Sequence, residues 1–146
     1  MTIKNLDRLL QKLDSLGGNS QKALKTGIHQ ATKLVQGDAK MLAPVRPGGG
    51  RLRDSIQGEV EEREGKVVGK VSTNVEYAAY VEFGTGQRGE ASPSPPKSSE
   101  DLSYRQDWAG MPAQPFLFPA LKQNEETIRK MITSNVRKEI RKLGGS

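Results

Sequence analysis

Leu6, Leu9, Leu10 and Leu13 recur at three- and four-residue steps, the stripe of an amphipathic helix. Gly17-Gly18-Asn19-Ser20 interrupts it, and Ser20 stands where a hydroxyl could cap the orphan backbone donors of a second helix. Leu24, Ile28, Ala31, Leu34, Val35, Ala39 and Leu42 then carry a helical stripe up to Pro44. Proline lacks a donor and pushes Ala43 out of the helical region, so the pattern predicts a helix over 21–42. At 1.5 Å per residue it would be about 33 Å long.

Beyond the proline- and glycine-rich stretch 44–50 the period changes to two. Ile56, Gly58 and Val60 alternate with polar residues, and so do Val67, Gly69, Val71 and Thr73. Glu62-Arg63-Glu64-Gly65 lies between them and offers a glycine for a positive-φ position, which predicts a β-hairpin anchored by Leu52 and Ile56. Its outer face would set Glu59 and Glu61 against Lys66 and Lys70.

Tyr77, Tyr80 and Val81 return to helical spacing, with aromatics expected inward and Gly84 at the left-handed stop. Apolar patterning nearly vanishes from 87 to 111, which predicts a mobile insert. Tyr104 and Trp108 within it are either a cover over the core or a partner-docking segment. Pro119 suits the first turn of a last helix, with Leu121, Ile128, Met131 or Ile132, Val136, Ile140 and Leu143 as its buried stripe. The expected fold is α+β in one domain over 1–146. It has a long N-terminal helix, a small antiparallel sheet, a short helix, and a long C-terminal helix packed on the sheet.

Composition makes that core thin, since only 34% of the 146 residues are apolar and 27% are charged. Burying further surface against copies of itself would help such a chain. The net charge of +6 is uneven. Residues 1–53 carry +7, residues 54–126 carry −6 and residues 127–146 carry +5. The basic ends either face phosphate or are solvated helix faces that help subunits attract one another. Their cations are spread round the helices without interleaved aromatics. No apolar run reaches the roughly 20 residues that span a bilayer, and no signal-peptide core follows Met1, so action in a cytoplasm or a particle assembled there is expected.

Candidate chemistry is sparse. With no cysteine and His29 as the only histidine, the usual zinc sites and Cys–His dyads are excluded, and a serine triad would rest on His29 alone. Glu59, Glu61, Glu62 and Glu64 could suggest carboxylate catalysis or a divalent metal, but alternation beside lysines is the look of an exposed sheet face. Gly48-Gly49-Gly50 and Gly84-Thr85-Gly86 lack the features of a phosphate loop. No catalytic, cofactor-binding or metal-binding residues are expected.

Three phrases occur in order: Ala43-Pro44 followed by Gly50-Arg51-Leu52-Arg53-Asp54-Ser55-Ile56; Tyr77-Ala78-Ala79-Tyr80-Val81-Glu82-Phe83-Gly84-Thr85-Gly86; and Gln114-Pro115-Phe116-Leu117-Phe118-Pro119-Ala120. With a long helix before and another after, the chain resembles the neck or tail-completion family of long-tailed bacteriophages and prophages over roughly 20–140. The insert is longer than that family's usual link. The resemblance implies a non-enzymatic virion protein without cofactors, forming a ring of about six on the head–tail axis. It implies head-closure or connector and tail-terminator proteins as partners, with DNA passing through the lumen without sequence specificity and no membrane. It makes Ala43, Pro44, Leu52, Ser55, Ile56, Tyr77, Tyr80, Glu82, Phe83, Gly84, Thr85, Pro115, Phe116 and Pro119 candidates for fold maintenance or assembly. The rival reading is a small basic nucleic-acid-binding protein.

Overall fold

A computed structural model describes residues 18–45, 50–95 and 103–142. The leucine stripe at 6–13, the glycines at 48 and 49, Leu143 and the final glycines lie outside the described residues. The elements in chain order are α1 (Gly18–Leu42), α2 (Arg51–Ser55), β1 (Gln57–Arg63), β2 (Lys66–Ser72), α3 (Ala78–Phe83), α4 (Gly86–Ala91), α5 (Leu117–Lys122) and α6 (Glu125–Lys142). The two strands form one sheet, and the fold is α+β as the periodicities predict. Among the described residues no helix is long and apolar enough to cross a membrane.

α1 ends where Pro44 requires, but it is already helical at Gly18, so Ser20 lies inside it instead of capping it. Glycine costs a helix only about 1 kcal/mol, too little to break a helix whose neighbours favour it.

The chain divides into two compact units: Met1–Leu34, Gly58–Lys70 and Gln123–Ser146 form one, and Val35–Gln57 and Val71–Lys122 the other. In the first, Ala23, Leu24, Ile28 and Ala31 of α1 are buried, as are Ile128, Ile132 and Val136 of α6. The two helices approach closely at Gly27, where a Cβ would stand 3.0 Å from the Ile132 Cα. The hairpin also meets α1: a Cβ at Gly69 would strike the Thr32 hydroxyl, Gln21 Nε2 donates to the Gly65 carbonyl at 2.9 Å, and Lys25 pairs with Glu62 at 3.6 Å. The turn is the two-residue Glu64-Gly65 with φ of 51° and 77°, both left-handed as a tight hairpin requires. The acids of β1 do not form the expected ladder with Lys66 and Lys70; instead Glu61 reaches Arg63 on its own strand at 3.0 Å.

The last helix differs from expectation by being two. α5 stops at Lys122, and α6 starts afresh after Asn124, whose carbonyl accepts from Ile128 N at 2.8 Å. Asparagine is a favoured residue just before a helix, which explains the break. Glu125 and Glu126 open α6 while Arg141 and Lys142 close it, complementing its dipole.

In the second unit Val35, Ala39, Ala43, Leu52, Ile56, Val75, Ala78, Phe116 and Ala120 are buried. Leu52 does not anchor a strand. Asp54 N donates to the Gly50 carbonyl at 2.8 Å, and the helical turn α2 puts Leu52 and Ile56 on one inward side, four residues apart. β1 begins only at Gln57.

Candidate functional site

The described parts of all three phrases fall within the second unit. Ala43, Leu52 and Ile56 are buried and Pro44 is half-buried. Ser55 donates its hydroxyl to the Leu52 carbonyl at 2.6 Å. That uses its one hydrogen, so the 2.6 Å contact between the Ser55 and Thr73 hydroxyls has Thr73 as donor. Arg51 lies 3.9 Å from Glu76 and 5.9 Å over the Tyr77 ring, linking the first phrase to the second.

The second and third phrases meet at Glu82. α3 turns Ala78 and Glu82 inward, not its tyrosines: Glu82 is 6% exposed, whereas Tyr77 and Tyr80 are 39% and 65% exposed. The expectation of inward aromatics fails because three backbone donors hold the Glu82 carboxylate on the inward side, which offsets the cost of burying it. One Glu82 oxygen accepts from Phe116 N at 2.8 Å and Leu117 N at 3.0 Å, and the other accepts from Phe118 N at 2.8 Å. These are donors that the start of α5 cannot satisfy within the helix, and Pro119, next in line, has none. The carboxylate thus serves the whole first turn from another element through charge-assisted bonds. The sequence held a signal for this. Phe116-Leu117-Phe118-Pro119 opens a helix with no Ser, Thr, Asp or Asn of its own, so an acceptor must come from elsewhere.

Gly84 ends α3 with φ of 77° as expected, though its ψ of −177° is extended instead of left-handed helical. A Cβ there would meet Ala113 N, Gly89 Cα and the Met111 carbonyl, each within 2.8 Å, so the site needs glycine on both grounds. The stretch with no apolar pattern contains the helix α4, missed because its contacts are made by backbone and glycine. Thr85 and Met111 exchange backbone bonds at 2.9 and 3.1 Å, and the Thr85 hydroxyl accepts from Met111 N at 3.0 Å. Gln87 N donates to the Trp108 carbonyl at 3.0 Å, and Gln114 N to the Val81 carbonyl at 2.8 Å.

Tyr104 and Trp108 part company. The half-buried Tyr104 donates its hydroxyl to the Phe83 carbonyl at 2.9 Å. Burial and, less, the negative charge of Glu90 push its phenol above the ordinary value. Trp108 is 50% exposed, and Met111 is exposed as well. Between the two aromatics, Arg105 grips Asp107 in a fork of 3.1 and 2.9 Å that holds the Asp107 carboxyl below its usual range. Phe83, Thr85, Pro115 and Pro119 are half-buried, and Phe116 is fully buried.

The other candidates stay apart. His29 is exposed on α1, and Glu59, Glu62 and Glu64 are exposed on the hairpin. Among the described residues no cluster of three metal-ligating side chains occurs.

Residues 7–84, more than half of the chain, match the family described as "Bacteriophage HK97-gp10, putative tail-component". The match takes in the first phrase and the second as far as Gly84, and ends before Trp108 and the third phrase. No curated protein and no solved structure matches the chain. The convergence of the phrases on one packed unit and this match over their first two agree: the chain belongs to the HK97-gp10-like family, whose members are structural components of bacteriophage tails.

Proposed function

We propose that the chain is a neck, or tail-completion, protein at the head–tail junction. It closes into a ring of six, mates with a head-closure or connector ring on one side and a tail-terminator ring on the other, and leaves a passage for DNA. It works in the virion after assembly in the host cytoplasm, and it catalyses nothing. The family supports the tail setting, and the thin core supports further burial on assembly.

The observation that carries this reading is Tyr77 and Tyr80, both motif positions and both exposed beside the fully satisfied Glu82. Amphipathic aromatics left at a surface are the side chains that subunit interfaces favour. Trp108 and Met111 extend the same kind of surface, and we assign the 87–111 insert a docking role through them.

Native mass spectrometry of the protein with its neck partners should give a closed oligomer. A monomer that persists under those conditions removes the ring. Deleting the gene should leave heads and tails unjoined, whereas a free nucleic-acid-binding protein would leave particle assembly intact. Proteolysis between 87 and 111 should be faster in the free protein than in the particle, and equal cleavage would deny the insert a contact.

A further inference from the structure

Five of the six cations of α6 share one side of the helix. Arg129, Lys130, Arg137, Lys138 and Arg141 line, with Thr133 and Ser134, a groove of about 500 Å³ along one side of α6. The buried Ile128, Ile132 and Val136 occupy the opposite side. None of the five has an ion-pair partner among the described residues. The helix's own carboxylates stand one turn ahead, at Glu125 and Glu126, or next to the apolar stripe by helical spacing, at Glu139.

An ordinary solvated helix face mixes its signs, because like charges three and four residues apart repel. Arg137 and Arg141 are such a pair, as are Lys138 and Lys142. The helix dipole offsets part of this repulsion at Arg141 and Lys142, and Glu125 and Glu126 can offset it at Arg129 and Lys130, but an external anion would relieve the whole stripe. Its length from 129 to 141 is about 18 Å at 1.5 Å per residue, so the anion must be extended and repeating.

We infer that this side of α6 binds the phosphate backbone of duplex nucleic acid without reading its sequence. Arginine forks suit phosphate oxygens, and the Ser134 hydroxyl at the middle of the groove adds a short-range donor. No aromatic lies on this side, so it offers no platform for the stacked bases of a single strand. Its lining lacks the large apolar side chains that an anionic bilayer surface would take up. The inference deepens the neck reading, which supplies the duplex in the lumen.

The test uses the full chain with a mixed-sequence 30-base-pair DNA. Five phosphate contacts predict a slope of about −4.5 for log affinity against log salt, or roughly 500-fold weaker binding between 50 and 200 mM. Replacing Arg129, Lys130, Arg137, Lys138 and Arg141 with Gln should abolish binding. Replacing Lys22, Lys33, Lys66, Lys70 and Arg88 with Gln, which removes the same charge elsewhere, should retain it. Should the first variant fail to fold by circular dichroism, Arg129→Gln/Arg137→Gln and Lys130→Gln/Lys138→Gln should each lower the slope by about two. Absent binding at low salt, equal loss in both charge variants, or equal affinity for single strands, polyglutamate or phosphatidylserine vesicles would each overturn the inference. Those outcomes leave the ring untouched, since it is read separately by mass spectrometry.

Discussion

The two units are held by different physics. In the first, a leucine–isoleucine stripe on α1 and an isoleucine–valine stripe on α6 supply the interior, and Gly27 lets the backbones close up. In the second, apolar side chains are fewer per element, and cohesion comes from a buried carboxylate, reciprocal backbone bonds and glycines too tightly placed to bear a Cβ. Burial that works through periodic side chains tolerates swaps of similar volume, since neighbours can repack around them, though not the loss of a side chain. Cohesion that works through fixed donors does not tolerate swaps, because an unpaired buried group has no substitute.

That contrast can be broken by substitution. Ile132→Ala removes a side chain that is 1% exposed and should cost about 3–4 kcal/mol in urea unfolding, with hydrogen exchange rising first in α1 and α6. Glu82→Ala should cost roughly 3 kcal/mol by stranding three donors, with exchange rising instead at 116–118. Glu82→Gln keeps one carbonyl oxygen and should cost about half as much. Were Glu82→Ala neutral, the carboxylate would be an accessory and the contrast would dissolve.

Gly84→Ala forces a positive φ on alanine against three backbone atoms, so a loss of about 2 kcal/mol should appear, more than Ala79→Gly on the exposed side of α3. The smallest effect belongs to Tyr104. Its raised pKa means that folding favours the neutral phenol, so its contribution is whole below the ordinary tyrosine range and fades as pH rises through the folded value. Ultraviolet titration should show a tyrosine step above the ordinary range, and Tyr104→Phe should remove it. A titration that Tyr104→Phe leaves unchanged above the ordinary range would sever Tyr104 from Phe83 and Glu90.

The same contrast explains what could be read beforehand. α1, the hairpin and the α6 stripe announce themselves because side-chain period encodes them. α2 hid because Leu52 and Ile56 fit one helical turn as well as the start of a strand, and a five-residue segment gives no period to choose between them. α4 and the Thr85–Met111 pairing hid because backbone atoms make them, and any sequence has those. At the candidate site the phrases fall in one packed unit, but the sequence did not show which of their side chains face inward. The tyrosines taken for core are exposed, while Glu82 is buried and accepts three backbone hydrogen bonds. Helical spacing places Ala78, Glu82 and the tyrosines on different sides without saying which faces in.

The hairpin tip carries a consequence for how this chain can vary. With only Glu64 and Gly65 between the strands, the parity of the loop decides which half of β2 looks at α1. Losing or gaining a single residue there would rotate Lys66, Val68 and Lys70 toward the helix and bring Lys70 or Val68, respectively, to the spot where a Cβ on Gly69 would already strike Thr32 and Ile28. Insertions and deletions at this tip are therefore filtered by odd and even: a frame of one is lethal to the packing, while a frame of two merely lengthens the ribbon.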